Sequence, residues 1–210
     1  MSPLATSVLV ACVLLLTGTA LAQAPEPGEP GSFFCRLAAG AAQSTLFPEQ
    51  YSQLGCEDME GLGWSADVAL GVSVTRTLAV HAEYAGARLY GVSNSTDRRD
   101  YEWNIKADLL GVGATYRFLS AGAYASVAAG AAFVDAVANS DDEFLHRVES
   151  NLGYGFQGML GREWPVEGPW SVGVAGQVIY LRVSNPDQWV EKSYGLDLVA
   201  IGILFSASYR

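Results

Sequence analysis

The chain has 210 residues, half of them hydrophobic, and its 22 acidic against 12 basic side chains give a formal net charge of −10. Such an acidic chain repels the phosphate backbone of nucleic acids, so we expect no nucleic-acid partner. The length corresponds to one domain. No stretch after the first 24 residues approaches the roughly 20 apolar residues of a membrane-spanning helix.

Residues 1–24 are predicted to be a secretory signal peptide that is removed on export. The apolar run over 8–16 is too short to span a bilayer, and Ala20-Leu21-Ala22 supplies the small residues of a cleavage site. The residues before Cys12 resemble a lipoprotein cleavage site. However, the apolar run continues beyond Cys12, which favours cleavage near residue 24. The predicted mature chain then begins with a proline-rich linker over 25–31.

After this linker, apolar residues alternate with small or polar ones in segment after segment. Over 64–75, Leu70 and Val72 share an apolar face, and Asp67 lies on the opposite, polar face. Successive side chains of a strand point to opposite sides, so this period of two predicts β-strands. Eight strands are predicted, over 32–43, 62–75, 78–92, 102–118, 123–138, 151–164, 170–184 and 194–209.

The apolar faces of these strands predict a belt on the outside of a barrel, in contact with lipid, and we place Val72 near its midplane. If the protein were soluble, the same faces would instead meet in a core. The belt is expected to consist of Val68, Leu70, Val72, Val80, Ala82, Leu110, Val112, Ala114, Phe156, Leu160, Val172, Val174, Val178, Val199, Ile201 and Ile203.

The predicted connections alternate in length along the chain. Short ones at 76–77, 119–122 and 165–169 alternate with long ones at 43–61, 93–101, 139–150 and 185–193. Short turns at one end and long loops at the other are typical of an outer-membrane barrel, with the turns in the periplasm. An even number of strands then places both chain ends in the periplasm.

Aromatic residues lie near the ends of the predicted strands and predict two belts at the membrane interfaces. Because aromatic residues are common in strands generally, the turn-flanking positions carry most of this inference. The predicted girdle consists of Trp64, Tyr90, Trp103, Phe118, Trp164, Trp170, Tyr180 and Tyr209.

The opposite, inward face carries ionisable residues of both signs: Arg36, Asp67, His81, Glu83, Arg117, Glu163 and Arg210. An eight-stranded barrel has room only for side chains inside, and buried charges are costly unless they are paired. We therefore expect an interior charge network in which Glu83 and Glu163 each face at least one arginine. Many other inward positions hold Gly, Ala, Ser or Gln, so water pockets and slow ion leakage stay open as an alternative.

The alternation, the loop pattern and the ending over 201–210 resemble the small eight-stranded outer-membrane barrels, such as OmpX and the transmembrane domain of OmpA. The resemblance covers residues 31–210 and rests on architecture. It implies an all-β, eight-stranded antiparallel transmembrane up-and-down barrel that is inserted by the barrel-assembly machinery. Phe205, Ala207 and Tyr209 continue the alternation, but Arg210 stands where these families usually have an aromatic residue.

The long loops concentrate acidic residues: Glu49, Glu57, Asp58, Glu60, Asp97, Asp100, Glu102, Asp141, Asp142, Glu143, Glu149, Asp187 and Glu191. Carboxylates suit Mg²⁺ or Ca²⁺ beside lipopolysaccharide phosphates, but the spacing matches no calcium-binding loop. A solvated acidic surface is the preferred interpretation. The sequence predicts no metal site and no cofactor.

An enzyme that modifies lipid A is a further alternative, because one predicted loop contains His146, Glu149 and Ser150, and His81 stands two residues from Glu83 on the inward face. Neither arrangement has a recognised nucleophile signature, so we expect no enzymatic activity.

The preferred function is therefore that of a monomeric structural or adhesive scaffold among outer-membrane lipid and lipopolysaccharide. The alternatives are a narrow channel, a lipid A-modifying enzyme and a soluble periplasmic barrel that binds an apolar ligand. Cys35 is predicted near the periplasmic end of the first strand and Cys56 in the first outer loop, too far apart for a disulfide. The alternative is a first strand that starts later, with residues 35–56 forming a cross-linked segment at one rim.

Overall fold

A computed structural model describes residues 29–48, 59–96, 99–118, 122–139, 146–166, 168–186 and 193–209. The strands are β1 (Phe33–Pro48), β2 (Met59–Ser73), β3 (Leu78–Thr96), β4 (Arg99–Phe118), β5 (Ala123–Asn139), β6 (His146–Glu149), β7 (Gly153–Pro165), β8 (Trp170–Pro186) and β9 (Ser193–Tyr209). No helix among the described residues is long and apolar enough to cross a bilayer.

The strands form one closed antiparallel barrel with eight strand positions around its circumference. Each strand pairs with its sequence neighbours, β1 pairs with β9, and the β4–β5 ladder completes the ring. The short strand β6 pairs with the last residues of β5, in line with β7, so β6 and β7 together occupy one of the eight strand positions. The all-β, eight-stranded antiparallel architecture predicted from the sequence is confirmed.

The register fixes the tilt of the strands. Following paired residues once around the ring from Phe33 through Val72 and Val178 returns to β1 at Gln43, ten residues further along. With ordinary strand spacings, a shear of ten over eight strands gives a tilt of about 40°, and each residue climbs about 2.5 Å along the barrel axis. A barrel of this size holds side chains but no wide pore.

The barrel is apolar outside and partly polar inside. The predicted belt residues all lie on the outer face, where Val112 is 72% exposed and Ile203 is 65% exposed. By contrast, charged side chains such as Arg36 and Glu83 are almost completely buried. A soluble barrel would have the reverse arrangement, so this outer surface is suited to hydrocarbon.

Aromatic residues mark the two edges of the apolar surface. On the outer face of β8, Trp170 and Tyr180 lie ten residues apart, which corresponds to about 25 Å along the axis. This is the height of the apolar band of an outer-membrane barrel. Close to the midpoint, Gly176 pairs with Ile203, so Ile203 lies near the midplane. Val72 pairs with Phe33 one residue before β2 ends, so the predicted midplane position of Val72 is wrong.

The strands extend further than predicted at the end with the long loops, called the loop end below. β1 continues to Pro48, and most of the loop predicted over 93–101 is strand, because β3 and β4 form a long hairpin around residues 97–98. The opposite end, the turn end, has compact connections. Gly122 and Gly168 adopt φ values of 62° and 63° there, a conformation that glycine takes without a steric penalty.

Candidate functional site

The barrel interior has two layers, and the one nearer the turn end is polar. This polar layer comprises Arg36, Asp67, His81, Glu83, Thr115, Arg117, Ser126, Gln157, Glu163 and Gln177. All of these side chains are buried. Strand alternation places them inside, because their outward neighbours form the apolar belt.

Arg36 is the centre of the polar layer. Its Nε donates a hydrogen bond to Asp67 at 3.1 Å, and its Nη2 donates to Glu83 at 3.4 Å. The other guanidinium nitrogen donates to the Thr115 hydroxyl at 3.3 Å. The second carboxylate oxygen of Asp67 accepts a hydrogen bond from Gln157 at 2.7 Å. One buried cation therefore faces two carboxylates, an arrangement that offsets the cost of removing all three charges from water.

His81 links a carboxylate to two hydroxyl groups. Its Nδ1 lies 2.7 Å from Glu83 Oε2, and its Nε2 lies 3.0 Å from Thr115 Oγ1. The Thr115 hydroxyl lies 2.9 Å from that of Ser126. The first of these contacts is within ion-pair distance, but its two atoms are not aligned for a hydrogen bond. The order of acid, imidazole and hydroxyl matches that of a nucleophile relay, but the hydrogen bond by which the acid would orient the imidazole is not formed.

Packing separates that relay from solvent. Thr115 is 2% exposed and Ser126 is 4% exposed. Towards the turn end, the Arg117 guanidinium lies over the Phe34 ring at 4.8 Å from its centroid, and Phe34 is itself buried. Tyr124 covers the layer from β5, with the Arg36 guanidinium 5.2 Å from its ring centroid. A substrate could reach the hydroxyls only if these side chains moved apart.

The second layer, nearer the loop end, is apolar. Its members pack into one buried cluster: Leu46, Ala85, Ala87, Leu89, Ile105, Ala107, Leu109, Ala132, Val134, Ile179, Leu181, Val183, Leu198 and Ala200. They fill the barrel where its outer face turns polar. On β8, for example, Ile179 and Leu181 point inward while Arg182 points outward. This apolar layer was not predicted from the sequence.

Six of the seven predicted interior charges lie in the polar layer, and Arg210 lies outside the described residues. Glu83 faces Arg36 as expected. Uncharged members of the network, such as Gln157, Thr115 and Ser126, were not identified as partners from the sequence. The sequence signal that could have identified these partners is the presence of amide and hydroxyl side chains at inward-facing positions of strands that also carry inward-facing charges. The Oε1 atom of Gln157 and the Nε2 atom of Gln177 have no hydrogen-bond partner among the described residues, and water suits such sites.

The predicted aromatic girdle divides between the two edges of the belt. Phe118, Trp164 and Trp170 are exposed at the turn end, where the ring centroid of half-buried Tyr209 lies 5.2 Å from that of Trp170. Towards the loop end, the indole nitrogen of Trp64 donates to the Tyr90 hydroxyl at 3.2 Å. Half-buried Tyr180 also lies near that end, whereas the side chain of Trp103 is outside the described set.

Of the catalytic alternative in the third long loop, the side chains of His146 and Glu149 are not described, and the half-buried Ser150 hydroxyl accepts a hydrogen bond from the Val134 backbone N–H at 2.9 Å. Most of the acidic loop residues considered for metal binding are likewise outside the described side chains. Within the described ranges, no cluster of three or more His, Cys, Asp or Glu residues is placed to hold a metal ion.

Solved structures share this architecture at low sequence identity. The outer membrane protein OprG from Pseudomonas aeruginosa is 12% identical, with a TM-score of 0.51 over 88% of this chain and 100% of that one. Neisserial surface protein A is 13% identical, with a TM-score of 0.49 over 84% and 96% of the two chains. No protein-family model matches the sequence, and no curated protein matches it. The fold is that of the small eight-stranded outer-membrane barrels.

Proposed function

We propose that this protein is a closed, non-conducting barrel of the bacterial outer membrane that holds acidic loops at the cell surface. The observation that carries the proposal is the filled interior. An ion that entered the polar layer would still have to cross the apolar layer, in which Leu109, Ile179 and Leu181 are at most 1% exposed. Moving a charge through such a layer is costly, so the narrow-channel alternative is disfavoured.

The orientation follows from the fold of this class. The turn end and both ends of the barrel domain face the periplasm, and the loop end faces outward. The proposed scaffold is exported through a cleaved signal peptide, inserted by the barrel-assembly machinery and monomeric. Most acidic residues of the long connections lie outside the described residues, so their role as a presented surface is inferred from the sequence.

The proposal includes no enzymatic step. The Glu83–His81–Thr115 relay is buried, and its contacts to Arg36 give it a structural explanation as part of the ion-pair network. A serine-reactive fluorophosphonate should therefore leave the Thr115 and Ser126 hydroxyls unlabelled in the folded protein, as detected by mass spectrometry. Labelling that depends on His81 would instead support an enzyme.

Planar-bilayer recording tests the closed interior. The purified barrel should insert without discrete conductance steps in 1 M salt, a condition chosen to magnify small currents. Steps that appear with the wild-type protein and scale with its concentration would contradict the scaffold proposal and favour the channel.

Adhesion requires a separate assay. Bacteria that express the barrel should attach to cultured epithelial cells, and neutralisation of Asp141, Asp142 and Glu143 to the corresponding amides should weaken attachment. Surface levels are matched by antibody staining of intact cells. Equal attachment by the neutralised variant and by cells that lack the barrel would remove the adhesive part of the proposal and leave the closed scaffold standing.

A further inference from the structure

A polar cluster interrupts the outer face of β3 and β4 at the loop end. The Arg88 guanidinium donates to Asp108 at 2.6 Å and to the Tyr84 hydroxyl at 3.2 Å, and that hydroxyl donates to Asp108 at 2.7 Å. The Trp64 ring covers the guanidinium at 6.0 Å. Arg88 also donates to the backbone carbonyl oxygens of Ala87 and Ala107, so most of its donors are occupied within the barrel wall.

Lys106 is the cation of this cluster that is left for another partner. It pairs in register with Arg88, its side chain is exposed, and it makes no hydrogen bond or ion pair with any described residue. The nearest acid on its own strand, Asp108, is already engaged by Arg88 and Tyr84. Asp135 is opposite Lys106 in the β4–β5 ladder and is the competing charge at this position.

Lys106 stands at the height of lipid headgroups. On the outer face of β4 it is ten residues above Tyr116, which belongs to the aromatic edge at the turn end. Ten residues climb about 25 Å, the height of the apolar band. Between the two, Leu110 and Val112 are exposed and apolar.

A shallow apolar groove of about 390 Å³, open to the outside of the barrel, lies below Lys106 on the same side. The residues that line it include Val112, Ala114, Val127, Ala129 and Phe156 from β4, β5 and β7. Val112 is six residues below Lys106, about 15 Å along the axis, and one leaflet of a 30 Å hydrocarbon core has about this depth.

We propose that Lys106 and this groove together bind one molecule of lipid A, a phosphate against Lys106 and an acyl chain in the groove. In the outer membrane this leaflet consists of phosphorylated saccharolipid, which supplies both groups. The inference rests on the proposed outer-membrane orientation and is independent of adhesion.

Native mass spectrometry of the full barrel, purified in detergent and titrated with lipid A, tests the site. The first lipid A molecule should bind more tightly than the molecules that bind after it. Lys106→Glu should weaken this first binding step by about tenfold, because a charge-assisted contact to phosphate becomes a repulsion. The matched control is Arg162→Glu, because Arg162 is also an exposed, outward-facing cation but lies at the turn end. This variant should change the affinity of the first binding step by less than about twofold.

A second pair of variants tests the groove. Ala129→Trp fills it and should weaken the first binding step, whereas Ala39→Trp, outward and at similar depth on the opposite side of the barrel, should not. Heat-modifiable mobility in gels verifies that each variant is folded. Equal binding of fully dephosphorylated lipid A or of phosphatidylglycerol, or equal losses in a variant and its control, would overturn the site. Bilayer currents and cell attachment test the proposed function independently of it.

Discussion

The Nε atom of Arg36 lies 3.1 Å from Oδ1 of Asp67, with both side chains fully buried in the barrel interior. The two residues are 31 positions apart in sequence and stand on neighbouring strands. The same guanidinium reaches Glu83 on the next strand and hydroxyls on β4 and β5. The Arg36 side chain therefore connects the five strands β1 to β5 through the interior.

Loss of this central cation should be severely destabilising. Arg36→Ala leaves the carboxylates of Asp67 and Glu83 buried and uncompensated, so we expect a loss of about 3–5 kcal/mol in the free energy of unfolding. Urea unfolding in phospholipid vesicles measures it. The exposed Arg162→Ala, which loses only a contact to the Trp164 ring, should cost less than about 1 kcal/mol.

A double-mutant cycle separates the ion pair from general disruption. If Arg36 and Asp67 act together, the effect of Arg36→Ala should be smaller in the Asp67→Asn background, with a coupling of about 1–3 kcal/mol. Additive effects would show that the contact contributes little to stability.

The depth of the apolar belt gives a second prediction. Ile203→Arg places a charge near the bilayer midplane and should cost about 2–4 kcal/mol, whereas Val72→Arg at the turn end should cost about 0–1 kcal/mol. Both residues are exposed on the outer face, so loss of packing is similar and depth is the main difference. Unfolding in vesicles measures both variants. Equal costs would contradict the register-based placement of the membrane.

The apolar layer is tightly packed around a glycine. A Cβ atom at Gly155 would lie 2.5 Å from Leu181 Cδ2 and 3.0 Å from Leu109 Cδ1. Gly155→Val should therefore overpack the layer and destabilise the barrel by about 1–3 kcal/mol. Gly158, on the same strand, points outward with nothing within 4 Å of its Cβ position. Gly158→Ala should stay within about 0.5 kcal/mol of wild type, and a similar loss in both variants would argue against tight interior packing.

The barrel architecture and belt could be predicted because lipid contact imposes a strict period of two on every strand. The apolar layer could not be predicted by following the apolar face alone, because within one strand the apolar residues change from the outward face to the inward face. On β4, Leu110 and Val112 face outward, but above them Leu109 and Ile105 face inward with Lys106 outward. Beyond the hydrocarbon, water surrounds the barrel, so its apolar residues turn inward as in a soluble protein.

This exchange of faces was visible in the sequence as a run of two adjacent apolar residues, such as Leu109-Leu110 on β4 and Val178-Ile179 on β8. The pairing of side chains inside the polar layer was not visible in the sequence, because it depends on the register between strands. Arg36 meets Thr115 across the lumen, 79 positions away, and no period of two encodes which strands face each other.

The fold sharpens the prediction that Cys35 and Cys56 form no disulfide. Cys35 pairs with Tyr209 and Leu70 near the turn end, whereas β2 begins at Met59, opposite Leu46 near the loop end. The eleven residues from Cys35 to Leu46 span about 36 Å of strand, and the three residues from Cys56 to Met59 reach at most about 11 Å. The two Cα atoms therefore cannot approach within the roughly 7 Å that a disulfide needs. Non-reducing peptide mass spectrometry should recover the two cysteines in separate peptides, and a linked peptide would show that β1 is misplaced.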